Sequence, residues 1–205
     1  MSIIPTQSDL FQTLENGLDG KPGGILITSI GEQITDYIWL GGFRTLESRE
    51  FLEDNQIKHV LSLGHFKRCK PPIEVNHKII AVKDDPEAHL IQHFPEAIEF
   101  ISNAVSKREH VLVHCLAGVS RSPAILAAYL MATENWTVEE ALANIQKARP
   151  FINPNRGFLN QLQLFQQMKC HFDEKHPAYI KYLKEHPIDT SHLGHEKSEY
   201  ESSCN

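Results

Sequence analysis

Residues 111–122 read VLVHCLAGVSRS. Val111, Leu112 and Val113 are a short β-branched and aliphatic run, the pattern of a buried strand. Ser122-Pro123 then opens AILAAYLMA, a run of good helix formers with no internal breaker. Proline is tolerated there because a helix's first N–H groups have no partner within the helix. The stretch therefore predicts strand, tight loop, helix. Such a junction points backbone N–H groups and the positive end of a helix dipole at whatever sits in the loop.

Cys115 and Arg121 stand at the two ends of that loop, with Leu116, Ala117, Gly118, Val119 and Ser120 between them. A five-residue loop can curl so that its N–H groups converge, with the arginine fork closing the ring. That centre suits a tetrahedral dianion, and the same field stabilises a thiolate. A cysteine beside an arginine at a helix N-terminus has its pKa lowered from the free value near 8.5. A thiolate aimed at a bound phosphoryl group is the nucleophile of a phospho-cysteine route. Gly118 permits the tight backbone such a ring needs. His114 can hydrogen-bond the loop and hold it, and Ser122 can reach back to the sulfur and help it leave. The bland alternative is a buried cysteine ending a strand and an exposed arginine starting a helix.

The rest of the chain fits one domain around this junction. It has 205 residues, 41% hydrophobic and 22% charged, and a formal net charge of −6, which argues against a general nucleic-acid binder. No apolar run approaches the ~20 residues of a membrane span, and the N-terminus lacks a secretory pattern. The four cysteines are widely spaced with no C-x-x-C pair, so neither a disulfide framework nor a zinc knuckle is indicated. A reducing compartment, cytosol or nucleus, is the expectation. ILITSI and ITDYIWL read as strands around Gly31-Glu32-Gln33, LESREFLEDNQ as a short helix, and KHVLSLG and HKIIAVK as strands. Residues 89–109 read as a longer helix in which Pro95 forces either a start near Gln92 or a kink. SPAILAAYLMATE is apolar nearly all round, a central buried helix. Thr137 to Glu140 fits a capping box, and Asn155 caps a last helix with Phe158, Leu162 and Phe165 on one face. AYIKYLKEH allows a further amphipathic turn or two, and the final residues cannot bury much. Strands early, helices late and helical crossovers between them predict an α/β domain with a mostly parallel central sheet flanked by helices.

His114-Cys115-x-x-Gly118-x-x-Arg121-Ser122 resembles the active-site loop of cysteine-dependent protein phosphatases, in their dual-specificity branch. HCLAGVSRSPAILAAYLM, EEALANIQKARPFINPN, GFLNQLQLF and the upstream ITDYIWLGG and KHVLSLG are all similar to that branch. The resemblance covers about residues 33–170, leaving an N-terminal extension, 1–32, and a largely flexible C-terminal one, 171–205. Within the branch the fit is to the small atypical members, including the catalytic domain of those that carry a C-terminal zinc module. The cysteines of that module do not occur in this sequence.

The resemblance implies hydrolysis of phosphotyrosine and phosphoserine/phosphothreonine through a phospho-cysteine on Cys115, with no metal or organic cofactor. The phosphate would be held by the loop from Leu116 to Ser120 and by Arg121, with His114 supporting the loop and Ser122 assisting. It also implies a general acid on a loop about thirty residues before the cysteine. VKDDP offers Asp84, 31 positions before Cys115, with Asp85 as its rival. Expected partners are phosphorylated proteins, with no nucleic acid and no membrane, and the oligomeric state is open. The neutral loop side chains favour phosphoproteins over inositol lipids, which other relatives meet with loop lysines. An RNA 5′-phosphatase and a phosphoprotein-binding module with little turnover are the alternatives. Arg149 reads either as a holder of a second phosphate or, more simply, as a surface residue at a helix end. Lys67, Arg68 and Lys70 offer a basic rim, Cys69 a disulfide partner for Cys115, and His89/His93 an incomplete metal pair, each with a plainer structural explanation.

Overall fold

The computed structural model describes residues 30–66 and 70–187. A five-stranded sheet has the order β1-β2-β5-β3-β4, from β1 (Gly31–Thr35), β2 (Ile38–Gly41), β3 (Ile57–Leu63), β4 (Asn76–Ile80) and β5 (His110–His114). Among the described residues the β1–β2 hairpin alone is antiparallel; the pairs β2–β5, β5–β3 and β3–β4 are parallel. The central β5 is sandwiched on both faces, and Val111, Leu112 and Val113 are fully buried. That is why it reads as a continuous apolar run rather than an alternating one.

Helices cover both faces. α1 (Phe43–Glu47) and α2 (Arg49–Asp54) lie on one side over Phe43, Leu46, Leu52, Ile57, Val60, Phe66 and Leu112. On the other side lie α3 (Phe94–Ser106), α4 (Arg121–Glu134), α5 (Val138–Ala148) and α6 (Arg156–Gln167), with α7 (Pro177–Glu185) packed on through the buried Tyr179. α4 is the hub: every residue from Arg121 to Met131 is buried. Phe94, Phe158 and Phe165 fill the space around it, each burial stabilising the fold by roughly 1.5–3 kcal/mol.

The expected caps form. Thr137 Oγ1 accepts from the Glu140 N–H at 3.2 Å, Glu140 answers by accepting from the Thr137 N–H at 2.8 Å, and Asn155 Oδ1 accepts from the Phe158 N–H at 3.0 Å. Two local expectations are corrected. Gly31-Glu32-Gln33 lies inside β1, and the hairpin turns at Asp36-Tyr37 instead. The helix expected over residues 46–56 is two helices joined at Ser48, which ends α1 and caps α2 by accepting from the Phe51 N–H. Of the two readings of Pro95 the helix start holds: a 3₁₀ turn, Leu90–His93, leads into α3 at Phe94, two residues past Gln92, and Pro95 falls in the first turn of α3. The strand expected over residues 25–29 and the C-terminal tail from residue 188 lie outside the described residues.

In a parallel sheet the strands' C-terminal ends share one edge, and the loops leaving that edge form the usual ligand crevice. Here those loops are the Cys115–Ser120 segment after β5, the Lys83–Pro86 segment after β4 and Gly42 after β2. The register sets Gly41 and Ser62 on either side of His114, directly below the cysteine.

Candidate active site

The loop from Cys115 to Ser120 is held from outside by its carbonyls. The Cys115 carbonyl accepts from His114 Nδ1 at 3.0 Å, and the Leu116 carbonyl from the Phe43 N–H at 2.7 Å. Arg149 meets the next two: its Nη2 donates to the Ala117 carbonyl and its Nε to the Gly118 carbonyl, both at 2.9 Å. The Val119 carbonyl accepts from the Asn153 N–H at 2.7 Å, and the Ser120 carbonyl from the Ala124 N–H within α4. In a trans peptide C=O and N–H point in opposite directions. Six outward carbonyls therefore turn the N–H groups of residues 116–121 inward, a concave nest suited to an anion.

Glycines make room for this ring. Gly118 has φ +68°, a left-handed conformation that disfavours side chains, and a Cβ there would stand 2.5 Å from the Gly41 carbonyl oxygen. A Cβ on Gly42 would stand 2.9 Å from the Leu116 carbonyl oxygen. The Gly41-Gly42 pair thus lets the end of β2 and the start of α1 approach the loop closely.

Cys115 lies at the floor, 1% exposed. Burial pushes its thiol pKa up, and the nearby Asp84 carboxylate adds to that. The Arg121 charge and hydrogen bonding from Ser122, whose Oγ donates to Sγ at 3.2 Å, outweigh both and leave the thiol below its ordinary value. Arg121 is buried at the first position of α4, donates through Nη1 to the Val82 carbonyl at 3.1 Å and holds Nε 3.6 Å from Asp84 Oδ2. His114 is fully buried, and loss of hydration is the main reason its pKa is pushed down to about 3, so the ring is neutral.

The two aspartates of VKDDP separate cleanly. Asp84 folds in over the loop: its Oδ1 accepts from Ser120 Oγ at 2.7 Å and from Asn155 Nδ2 at 2.9 Å. Its other oxygen, Oδ2, lies on the Arg121 side. Asp85 is exposed and turns back on its own loop, accepting from the Glu87 N–H at 2.8 Å. The structure thus gathers His114, Cys115, the loop from Leu116 to Ser120, Arg121, Ser122 and Asp84 in one place, and leaves Asp85 outside it.

Arg149 corrects both of its sequence readings. It is 4% exposed, behind the loop, with its guanidinium spent on two loop carbonyls and on Glu32, so it neither faces solvent nor offers its fork to a second phosphate. Its cation also sits 4.3 Å from the centre of the Phe151 ring. Asn155, read from sequence as a helix cap, does double duty on Asp84. Lys70 is exposed, while Lys67, Arg68 and Cys69 lie outside the described residues. His89 packs edge-on against Tyr182, and His93 pairs with Glu96 at 2.7 Å.

The comparisons agree with this geometry. Residues 38–168 match the family of the dual specificity phosphatase catalytic domain. Zebrafish (Danio rerio) dual specificity protein phosphatase 22-B is 45% identical over 129 residues, which are 63% of this chain and 70% of that protein. Human dual specificity protein phosphatase 22 is 37% identical over 149 residues, 72% of this chain and 77% of that one. Among solved structures, a mouse putative dual specificity phosphatase complexed with zinc tungstate superposes with a TM-score of 0.65 at 27% identity, covering 72% of this chain and 94% of that chain. A buried cysteine whose pKa is lowered, in an N–H-lined loop on a sheet with these relatives, leads to one conclusion: the chain belongs to the dual-specificity phosphatase family and is a phosphatase of the small atypical type.

Proposed function

We propose that this phosphatase removes phosphate from tyrosine and from serine/threonine side chains of proteins through a covalent phospho-cysteine. The observation that carries the reading is the loop with six carbonyls bonded outward around a thiol whose pKa is lowered. The Cys115 thiolate attacks phosphorus, an S–P bond forms, and the P–O bond to the substrate oxygen breaks. The inward N–H groups and the Arg121 fork meet the equatorial phosphoryl oxygens as charge builds on them. Asp84 gives its proton to the departing oxygen. In the second step Asp84 takes a proton from water, the water oxygen bonds to phosphorus, and sulfur leaves as a thiolate stabilised by Ser122. These steps call for no metal or organic cofactor.

The neutral side chains of Leu116, Ala117, Val119 and Ser120 favour a single phosphate on a protein over a polyphosphorylated headgroup. A thiolate nucleophile also fits a reducing compartment, and we place the enzyme in the cytosol or nucleus. The test has two arms. Cys115→Ser should lose all turnover yet still gain melting temperature from tungstate, because the N–H nest persists. Phosphotyrosine and phosphothreonine peptides should be hydrolysed well above inositol phospholipids and 5′-phosphorylated RNA. Turnover by Cys115→Ser, or a preference for lipid or RNA, overturns the reading.

A further inference from the structure

A line of hydrogen bonds runs from the sheet edge to the back of the nucleophile. Ser62 Oγ on β3 lies 2.7 Å from His77 Nε2 on β4 and 2.6 Å from His114 Nε2 on β5. His114 Nδ1 in turn lies 3.0 Å from the Cys115 carbonyl oxygen. The strand register creates this line: Ser62 pairs directly with His114, and His77 sits two residues from Ile79, Ser62's partner on the other side.

The direction of every bond follows from its end. A carbonyl can only accept, so His114 Nδ1 carries the hydrogen. The ring is neutral, held so by burial, so Nε2 presents a lone pair and the Ser62 hydroxyl must donate to it. Ser62 Oγ is then left as an acceptor, and His77 Nε2 must donate. With Ser62 in place, His114 is locked in the Nδ1–H tautomer. In the other tautomer an Nδ1 lone pair would face the Cys115 carbonyl oxygen, two acceptors in contact. The first peptide of the loop would rotate, turning its N–H out of the ring of inward N–H groups.

We propose that Ser62 and His77 are positioning residues for the phosphatase reaction, fixing the His114 tautomer and through it the loop geometry that favours the Cys115 thiolate. The proposal rests on the reading of Cys115 as the nucleophile. The charged and polar groups facing the sulfur directly are Arg121, Ser122 and Asp84, and those facing His114 are Ser62, His77 and Arg121. His77 is only half-buried on an edge strand, so its substitution tests the line without emptying the core.

The experiment measures alkylation of Cys115 by iodoacetate as a function of pH, following the Cys115 peptide by mass spectrometry. This reads the thiolate without any substrate. His77→Leu should raise the apparent thiol pKa by about half a unit, a roughly threefold slower reaction below the midpoint. Ser62→Ala should raise it by about one unit, roughly tenfold, the scale of one lost hydrogen bond. His77→Gln, which keeps an N–H donor at similar reach, should match the wild type. If His77→Leu and His77→Gln share one profile, whether wild-type or shifted, the proposal is overturned. Should Ser62→Ala fail to fold, the His77 pair alone decides. Failure of the phosphatase reading would show separately, as turnover by Cys115→Ser. Failure of this proposal would show as an unmoved alkylation profile in an enzyme that still works through Cys115.

Discussion

Gly157 and Pro86 are in such close contact that a Cβ on Gly157 would stand 1.8 Å from the Pro86 carbonyl oxygen. Gly157 is the second residue of α6, and Pro86 follows the paired aspartates, so the start of α6 serves as the wall of the loop that carries Asp84. The same helix ties the loop down twice more. Asn155, its cap, bonds Asp84, and Gln161 donates to the Ala88 carbonyl at 2.8 Å while accepting from the Ile91 N–H at 2.8 Å.

Gly157→Ala should therefore displace the Asp84 loop. Overpacking of this kind costs roughly 1–3 kcal/mol of stability. The more telling effect is on kcat, which should fall severalfold or more on phosphotyrosine peptides and much less on aryl phosphates with acidic leaving groups. Such a difference marks a misplaced proton donor and not a damaged nucleophile. Equal losses on both substrate types would show that the contact supports only packing.

Arg149→Met removes the donors to the Ala117 and Gly118 carbonyls and the ion pair with the part-buried Glu32. Breaking a buried pair of this sort costs about 3 kcal/mol or more. The two freed carbonyls can then turn toward the anion and oppose it. Phosphatase activity should drop at least ~10-fold in kcat/KM, and tungstate should raise the melting temperature less than in the wild type. Arg149→Lys should rescue little, because one ammonium cannot replace a planar fork aimed at two oxygens. Full tungstate binding by Arg149→Met would refute the bracing role.

The contrast between Arg149 and Cys115 shows what a sequence reveals. The strand, the loop, Arg121, the apolar α4 and the caps at Thr137 and Asn155 are all local, each specified by residues within a few positions of one another. Arg149 acts on carbonyls 31 and 32 positions away, Asn155 on a carboxylate 71 positions away, and Ser62 on a ring 52 positions away. Nothing in the composition around these residues records such pairings. Gly31 misled for a related reason. It looked like a turn glycine, yet it is needed in a strand because a Cβ there would stand 2.7 Å from the Phe51 ring and 2.9 Å from Thr45 Cγ2. The true turn, at Asp36-Tyr37, carries no glycine or proline to announce it.

Acid should destabilise the fold with a recognisable slope. His114 titrates near its ordinary value, about 6.5, when unfolded, but only at about 3 in the folded protein, chiefly because burial disfavours its charge. The unfolded chain therefore binds a proton that the folded one refuses. Stability is fully present above pH ~6.5 and is lost as pH falls toward the folded value, at up to ~1.4 kcal/mol per pH unit. His77, also lowered by burial, adds in the same direction. Urea midpoints measured from pH 7 to pH 4 should show this loss. His114→Asn, which keeps a donor toward the Cys115 carbonyl but cannot titrate, should flatten it. An unchanged slope in that variant would mean that other groups dominate the acid response.

Asp84 and Asp85 are adjacent in sequence, and the proton-donor role can be assigned to one by leaving-group chemistry. Proton donation matters in proportion to how poor the leaving group is: a tyrosine phenoxide (pKa ≈ 10) needs it, and a far more acidic phenol does not. Asp84 sits over the loop with Oδ2 toward Arg121, whereas Asp85 is committed to the Glu87 N–H outside the site. Asp84→Asn is nearly isosteric and can still meet Ser120 and Asn155 through its carbonyl oxygen. It should cut hydrolysis of phosphotyrosine peptides by roughly 10²–10⁴. On a series of aryl phosphates of graded leaving-group pKa, the loss should shrink steadily as the phenol becomes more acidic. Asp85→Asn should change none of these beyond a small loop effect. A steepened leaving-group dependence in Asp85→Asn with none in Asp84→Asn would move the assignment by one residue, and no steepening in either would place the acid elsewhere.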